Sequence, residues 1–492
     1  MTKNKKLLFL FISVILISCG QRVDKKAYDS IKEPTFNKEQ LQKDFDVFRA
    51  SLEEIHSGLY TFISKDSLDY YFNDCYSKIN SNMSTDEFFK VLSPIIPKIY
   101  DEHTSLDFSY KYADIKKFMP IKVRWLDNIP YIHKNLLNDQ NVILGSQLIS
   151  INGRNLKDIY KTFTTTYSNF TTDQSLEYDV YSIHFDYLYA SFVEQPDSFH
   201  IVALDLKTKK EYSVHLPCVL ASDSIHFISL QNLASEYNNT DSCYRFNIDK
   251  KNNIAIMKIS SFTETKGINF SQAFNRDFKI IGDSKIKNLI IDLRYNRGGD
   301  PKFGAELLSY LYNKPFQIFD SISATINKRP TYYNFMDSTT LTSNDWNSTI
   351  FALTNLSKKN VNYYTSFRDT VFTPKNNQFK GKIYLLINSD VHSAALITTS
   401  LFDYYTSATT IGTPICGPYN SGNAINAITL TLPNTKIQII IPIVNYSYSI
   451  PDNLYPYKKG TMPDTIIKST IADIINKRDN ILEATIKMTK TH

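Results

Sequence analysis

The sequence predicts an α/β protein in three parts: a helical front region, a β-rich module and an α/β core at the rear. Three observations carry this. Apolar residues recur at helical spacing through roughly the first hundred residues. From about residue 118 the pattern alternates, and Gly and Asn punctuate it. From about residue 250, short apolar runs of strand length alternate with amphipathic stretches. The parts are bounded at 36–115, 116–220 and 221–492, with a separate N-terminal segment ahead of them.

That segment, "MTKNKKLLFLFISVILISCGQ", reads as an address. Lys3, Lys5 and Lys6 precede an apolar run from Leu7 to Ile17. The run is shorter than the ~20 residues of a membrane-spanning helix, and small residues follow it, which makes an export signal. Leu16-Ile17-Ser18-Cys19 resembles the lipobox of bacterial lipoproteins. The expectation is a signal peptide over 1–18, lipidation of Cys19 and a polar tether over 19–35. No later segment is apolar enough to cross a bilayer, so a lipid-held globular body in the bacterial cell envelope is expected. No acidic run follows Cys19, which favours the periplasmic face.

Lys plus Arg exceed Asp plus Glu by six. Three of those lysines leave with the signal, so the mature surplus is roughly three, without a basic block. Neither nucleic acid nor an electrostatic membrane patch is indicated. Cys75, Cys218, Cys243 and Cys416 are spread without metal-ligand spacing, so no metal is expected. Export permits disulfides, and Cys218 with Cys243 is one possible pair.

Within the front region, Leu41, Phe45, Phe48 and Leu52 form an amphipathic stripe. Ser84-x-x-Glu87 is a helix-start pattern, and the helix after it runs towards a polar knot, Asp101-Glu102-His103-Thr104. In the module, Gly145, Asn152 and Gly153 mark reversals around "QLISING". The stretch resembles a PDZ domain, and "FHIVALDLKTKKEYSVHL" reads as a hairpin closing it. At the rear, "NIAIMKISSF", "IKNLIIDLR" and "KIYLLIN" are strands, and "NFSQAFNRDFKII" is a helix. "DPKFGAELLSYLY" is a helix capped by Asp300 with Pro301 at its first position. "NAITLTLPNTKIQIIIPIV" is a hairpin turning at Pro433-Asn434, and "TIADIINKRDNILEATIK" a closing helix.

Two rear strand ends carry the chemistry. One finishes in Asn296-Arg297-Gly298-Gly299; the other, "LLINSDVHSAALI", in Ser393 with Ala394 and Ala395 behind it. Paired glycines expose backbone N–H groups that side chains would crowd. A serine opening a helix has unpaired N–H groups and the positive end of the dipole beside it. Acyl transfer needs such a hydroxyl next to preorganised donors.

With "TTIGTPICG" and "KKGTMPDTII", these motifs resemble the S41 peptidases, a family that includes carboxy-terminal processing proteases and the tricorn core protease. The resemblance runs from about His103 to the end. It implies a crotonase/ClpP-like α/β catalytic core that cleaves peptide bonds without metal or cofactor. Carried over by position, Ser393 is the nucleophile, and the N–H groups of Ala394 and of Gly298 or Gly299 form the oxyanion hole.

The chain departs from the pattern at two positions. The family's base lysine lies in a turn that here reads Ile415-Cys416-Gly417-Pro418, and the glutamate three residues after the serine is Leu396. A bare serine needs an adjacent base. The tricorn-like branch uses an upstream histidine, and "YDEHTSLDF" resembles that position, which makes His103 the candidate general acid–base. His392 is a rival, while His56 reads as packing at a helix end. Lys458 or Lys459 would serve as a displaced lysine base. Asp452 is the candidate orienting acid, with Asp101 and Glu102 as local alternatives; Asp464 reads as holding a turn. The expected protein is a lipid-anchored serine endopeptidase acting on protein or peptide substrates. Its alternatives are an inactive peptide-binding lipoprotein on the same fold and a different acyl-transfer enzyme.

Overall fold

The computed structural model describes residues 34–107, 117–166, 174–221, 242–265, 267–326, 328–337, 370–451 and 460–490. The signal, Cys19 and most of the tether lie outside the described residues. So do Asp452, Lys458 and Lys459. No described helix is long and apolar enough to cross a membrane.

Three helices open the chain: α1 (Lys38–Ile55), α2 (Lys65–Ser77) and α3 (Thr85–Leu92). Asn37 and Gln40 cap α1 reciprocally, and the expected stripe of Leu41, Phe45, Phe48 and Leu52 is its buried face. Ser84 and Glu87 form the capping box of α3. After two short turns, Tyr100 adopts a left-handed conformation at φ 59° and redirects the chain. The polar knot follows, then β1 (Ser105–Asp107). This strand does not stay with the front helices. It pairs with the rear hairpin, Leu106 opposite Ile439.

The module is a sheet of β2 (Ile121–Leu126), β3 (Ile129–Asn135), β4 (Gln147–Ile151), β5 (Ser198–Asp205) and β6 (Lys210–Pro217). They lie in the order β6-β5-β4-β3-β2. The expected closing hairpin is β5–β6. Two helices, α4 (Leu156–Thr166) and α5 (Gln174–Phe192), separate β4 from β5. In α5, aromatic and apolar residues occur around the whole circumference, so no single stripe marks it in the sequence. It covers the β2 edge: Trp125 N–H donates to Ser182 Oγ at 2.8 Å, and the buried Lys122 ammonium pairs with Asp186.

The rear core is a sheet of β7 (Tyr244–Asp249), β8 (Ile254–Ile259), β9 (Asn288–Asp292), β11 (Lys382–Ile387), β12 (Thr409–Gly412) and β15 (Thr465–Ile466), adjacent in that order. All pairings are parallel except β7–β8. Strands β9 and β11 are apolar runs because both faces are covered. A second sheet orders β10 (Phe319–Ser323), β14 (Gln438–Tyr448) and β13 (Ser421–Thr431). Helices α6 (Phe270–Asp283), α7 (Pro301–Leu308) and α8 (Ala394–Tyr405) complete the core. Asp300 caps α7 with Pro301 at its first position, as expected. Helix α8 is buried continuously from Ala394 to Phe402. It lies so close to α7 that a Cβ on Gly304 would meet Thr398 Oγ1 at 1.9 Å.

Two expectations are corrected. The closing helix is two, α9 (Ile471–Ile475) and α10 (Asn480–Met488). Lys477 breaks them with φ 52°, and the Asp479 side chain caps the second. No disulfide joins Cys218 to Cys243; the Cys243 thiol instead lies 3.4 Å from Thr265 Oγ1.

Asp44, fully buried on α1, ties the front region to the rear hairpin. It accepts from Asn434 N and Nδ2 and from Thr435 N and Oγ1, at 2.7–3.0 Å. Asp44→Ala removes the acceptor for all four donors, so a loss of about 3 kcal/mol is expected. Urea unfolding followed by intrinsic fluorescence measures it.

Candidate active site

The two strand-end turns are laced together. Leu293 N–H donates to Leu386 O, Tyr295 N–H to Asn388 Oδ1 at 2.9 Å, and His392 N–H to Asn296 O at 3.0 Å. The fully buried Asn296 amide donates to Ile259 O and accepts from Gly298 N–H. Arg297 spans the turns to Asp390 at 2.9 Å. Below them, Arg294 is gripped by Asp292 and by Asp479 of the α10 cap, each at 2.7 Å. The Asp-Leu-Arg strand end is thus a clasp that holds the C-terminal helix.

Ser393 ends this lacing at φ 53°, ψ −126°, a conformation that side chains rarely adopt. Gly298 permits it. A Cβ there would lie 2.7 Å from Ser393 Cβ and 2.9 Å from Ala394 N. Among the described residues, Gly299 N–H and Ala394 N–H have no acceptor, whereas Gly298 N–H is taken by Asn296. Two unpaired donors therefore flank the serine at the start of α8, where the helix dipole adds to them.

The polar knot from the front region meets this turn. Glu102 Oε1 accepts from Ser393 N–H at 3.0 Å and lies 3.7 Å from His103 Nδ1. The other oxygen, Oε2, lies 3.2 Å from His392 Nδ1. His392 Nε2 faces Asp390 at 3.5 Å. Among the described residues, His103 Nδ1 is buried between Glu102 and Asp101 without a hydrogen bond of its own, and Asp101 Oδ1 is 4.0 Å away. Asp101 in turn accepts from the His103 N–H and from Thr104 Oγ1, and lies 3.1 Å from His56 Nε2.

These contacts set the charges. Burial opposes an imidazolium at His392, but the bonds to Asp390 and Glu102 outweigh it and push His392 up to about 9. Burial would raise the Glu102 carboxyl, yet His103 and His392 hold it below the usual carboxylate range. Asp390 is likewise held low against its burial by His392 and Arg297. Burial also works against the Asp101 anion, and His56, His103 and Thr104 together outweigh it and hold the carboxyl low.

The lacing brings together Ser393, Ala394, Gly298, Gly299 and, through Glu102, His103. His392, the rival base, has both ring nitrogens turned to carboxylates, Nδ1 to Glu102 and Nε2 to Asp390. His56 caps α1 and supports Asp101 from its buried position. Asp464 accepts from Thr410 N and Oγ1, tying β15 to β12. Where the family has lysine and glutamate, this chain has an apolar contact: a Cβ on Gly417 would lie 2.7 Å from Leu396 Cδ1. Sequence reasoning missed Asp390 and Arg297. Their signal was present as charges flanking the two motifs, without a geometry to pair them.

A serine on a strained strand-to-helix turn of an α/β sheet, with unpaired N–H groups beside it, defines a serine hydrolase. Residues 253–467 match the model of peptidase family S41. Those residues carry a domain like that of the S41 peptidases, and the chain is a serine-type peptidase. The chain is similar to mature CPAF at 14% identity and TM-score 0.64, covering 92% of this chain and 97% of that one. Mature CPAF complexed with lactacystin aligns at the same identity and TM-score, over 92% and 98%. At that identity the likeness establishes the fold. The photosystem II D1 C-terminal processing protease aligns at 11% identity and TM-score 0.39, over 87% and 93%. Among curated proteins, none matches the sequence.

The His392 shift has a signed consequence. Its folded value lies above the unfolded one, so the stability it supplies is complete below about 6.5 and is lost as pH rises through about 9. Glu102 and Asp390 are shifted down, so their contribution is present above the usual carboxylate range and lost as pH falls through their depressed values. Imidazole NMR should place the His392 midpoint near 9. In His392→Gln the loss of stability between those two values should disappear from denaturation curves.

Proposed function

We propose that the protein is a serine endopeptidase in which His103 activates Ser393. The observation that carries this is the Glu102 carboxylate, which faces both the Ser393 amide and the buried His103 Nδ1. With Nδ1 turned to the acids, the far ring nitrogen is the one left for the nucleophile, the division of labour of a Ser–His pair. Ser393 Oγ attacks the scissile carbonyl as His103 takes its proton. The carbonyl oxygen, now negative, is stabilised by the N–H groups of Ala394 and Gly299. His103 then passes the proton to the leaving amine, and water returns through the same base to hydrolyse the acyl-enzyme. Asp101 and Glu102 are the described acids at Nδ1; Asp452 remains the proposed acid from outside the described residues.

The module takes the PDZ-like role of holding an extended peptide by strand addition. Since α5 covers β2, β6 is the edge that would accept it. Lipidation at Cys19 would hold the enzyme at the periplasmic face of the envelope.

One observation favours a second reading, a peptide binder without turnover: the apolar contact of Leu396 with Gly417, where the family has ionisable groups. Labelling of Ser393 by a fluorophosphonate separates the two. Ser393→Ala and His103→Ala should each lower kcat/KM on an unstructured protein at least about 10³-fold. Full activity in His103→Ala would pass the base role elsewhere. Cys19→Ala should move the protein from the membrane fraction to the soluble one; unchanged fractionation rejects the anchor.

A further inference from the structure

One group at the site has no part in that mechanism. His392 stands beside the nucleophile, yet its ring is taken up by two carboxylates, Glu102 at 3.2 Å and Asp390 at 3.5 Å. Asp390 is bound in turn by Arg297. Glu102, His392, Asp390 and Arg297 thus form a row of alternating sign running away from Ser393.

We propose that His392 is a positioning residue: as the cation inside this row it seats the Glu102 carboxylate between the Ser393 amide and His103 Nδ1, and cancels that carboxylate's charge beside the developing oxyanion. The inference rests on the peptidase reading and deepens it.

The geometry requires such a partner. Glu102 is almost buried, with 11% of its side chain exposed, and it lies at the start of α8, where the oxyanion must also form. An uncompensated anion there would oppose the charge that the two free N–H groups are arranged to receive. With His392 charged, the row carries two positive and two negative groups. Neutral His392 would leave it one negative charge in excess. Its second role is steric. Held on both sides, the ring fixes Glu102 Oε2, and so directs Oε1 to the Ser393 amide and to His103.

Other charges face the row from each packed element. Asp101 and His103 flank Glu102. His184 of α5 lies near Asp390 and Arg297, and burial, aided by Arg297, pushes it down to about 4. It is neutral across the working range, which leaves His392 as the group of the row that titrates on the alkaline side.

The test is the pH dependence of kcat on an unstructured protein substrate. The wild type should lose kcat as pH rises through about 9, in step with the His392 imidazole signal. His392→Gln should lower kcat about tenfold or more at neutral pH, change KM within about twofold and abolish that alkaline limb. His392→Lys, which restores a cation of higher ordinary pKa, should recover kcat and move the limb above about 10. A merely structural histidine would not give that rescue with a displaced limb. Wild-type kcat and an unchanged limb in His392→Gln overturn the proposal while Ser393→Ala and His103→Ala remain inactive. If the variants do not fold, the wild type decides: a kcat flat through the His392 titration overturns it. Undiminished turnover in Ser393→Ala, or none in the wild type, removes the peptidase reading and this inference with it.

Discussion

The site depends on one hydrogen bond between distant parts of the chain, from Ser393 N–H to Glu102 Oε1. Without it the serine turn is a strained cap on a buried helix, and the polar knot is a surface cluster. With it the two become one site. The bond is placed by elements that have no chemistry of their own. Tyr100 turns the chain, β1 adds itself to the rear hairpin, and Asp44 pins that hairpin to α1. The front region therefore supplies the carboxylate that meets the Ser393 turn, and it is tied to the rear core by backbone pairing and a buried carboxylate.

Strain and its support sit side by side. Ser393 at positive φ, Gly298 pressed against it and the fully buried Asn296 form one unit. A strained backbone persists only where its surroundings over-determine it. Here the surroundings are the laced turns after β9 and β11, whose apolar strands cannot shift because both faces are packed. Placing the hydroxyl at the end of such a strand holds it more firmly than a free loop would.

Much of this was legible in the sequence because the signals were local. The α1 stripe, the Ser84–Glu87 box and the Asp300-Pro301 start each lie within a few residues, and each is found as read. The strand ends with Gly298-Gly299 and Ser393 were legible as motifs. What escaped was set by tertiary packing. Helix α5 carries no stripe because it is buried on several sides, and the closing helix breaks at Lys477, where the Asp479 side chain begins a new cap. The pairing of Arg297 with Asp390, and the charge it helps to fix on His392, depend on two turns meeting across 93 residues. No local pattern encodes that meeting.

The clasp on Arg294 orders events in time. Its guanidinium is buried at the foot of the nucleophile's neighbouring strand, and one of its two carboxylates, Asp479, is translated 185 residues later. A nascent chain that still lacks Asp479 holds that cation half-neutralised, at a desolvation cost that opposes settling of the strand. Settling of the strand beside the Ser393 turn therefore waits on the later segment that brings Asp479.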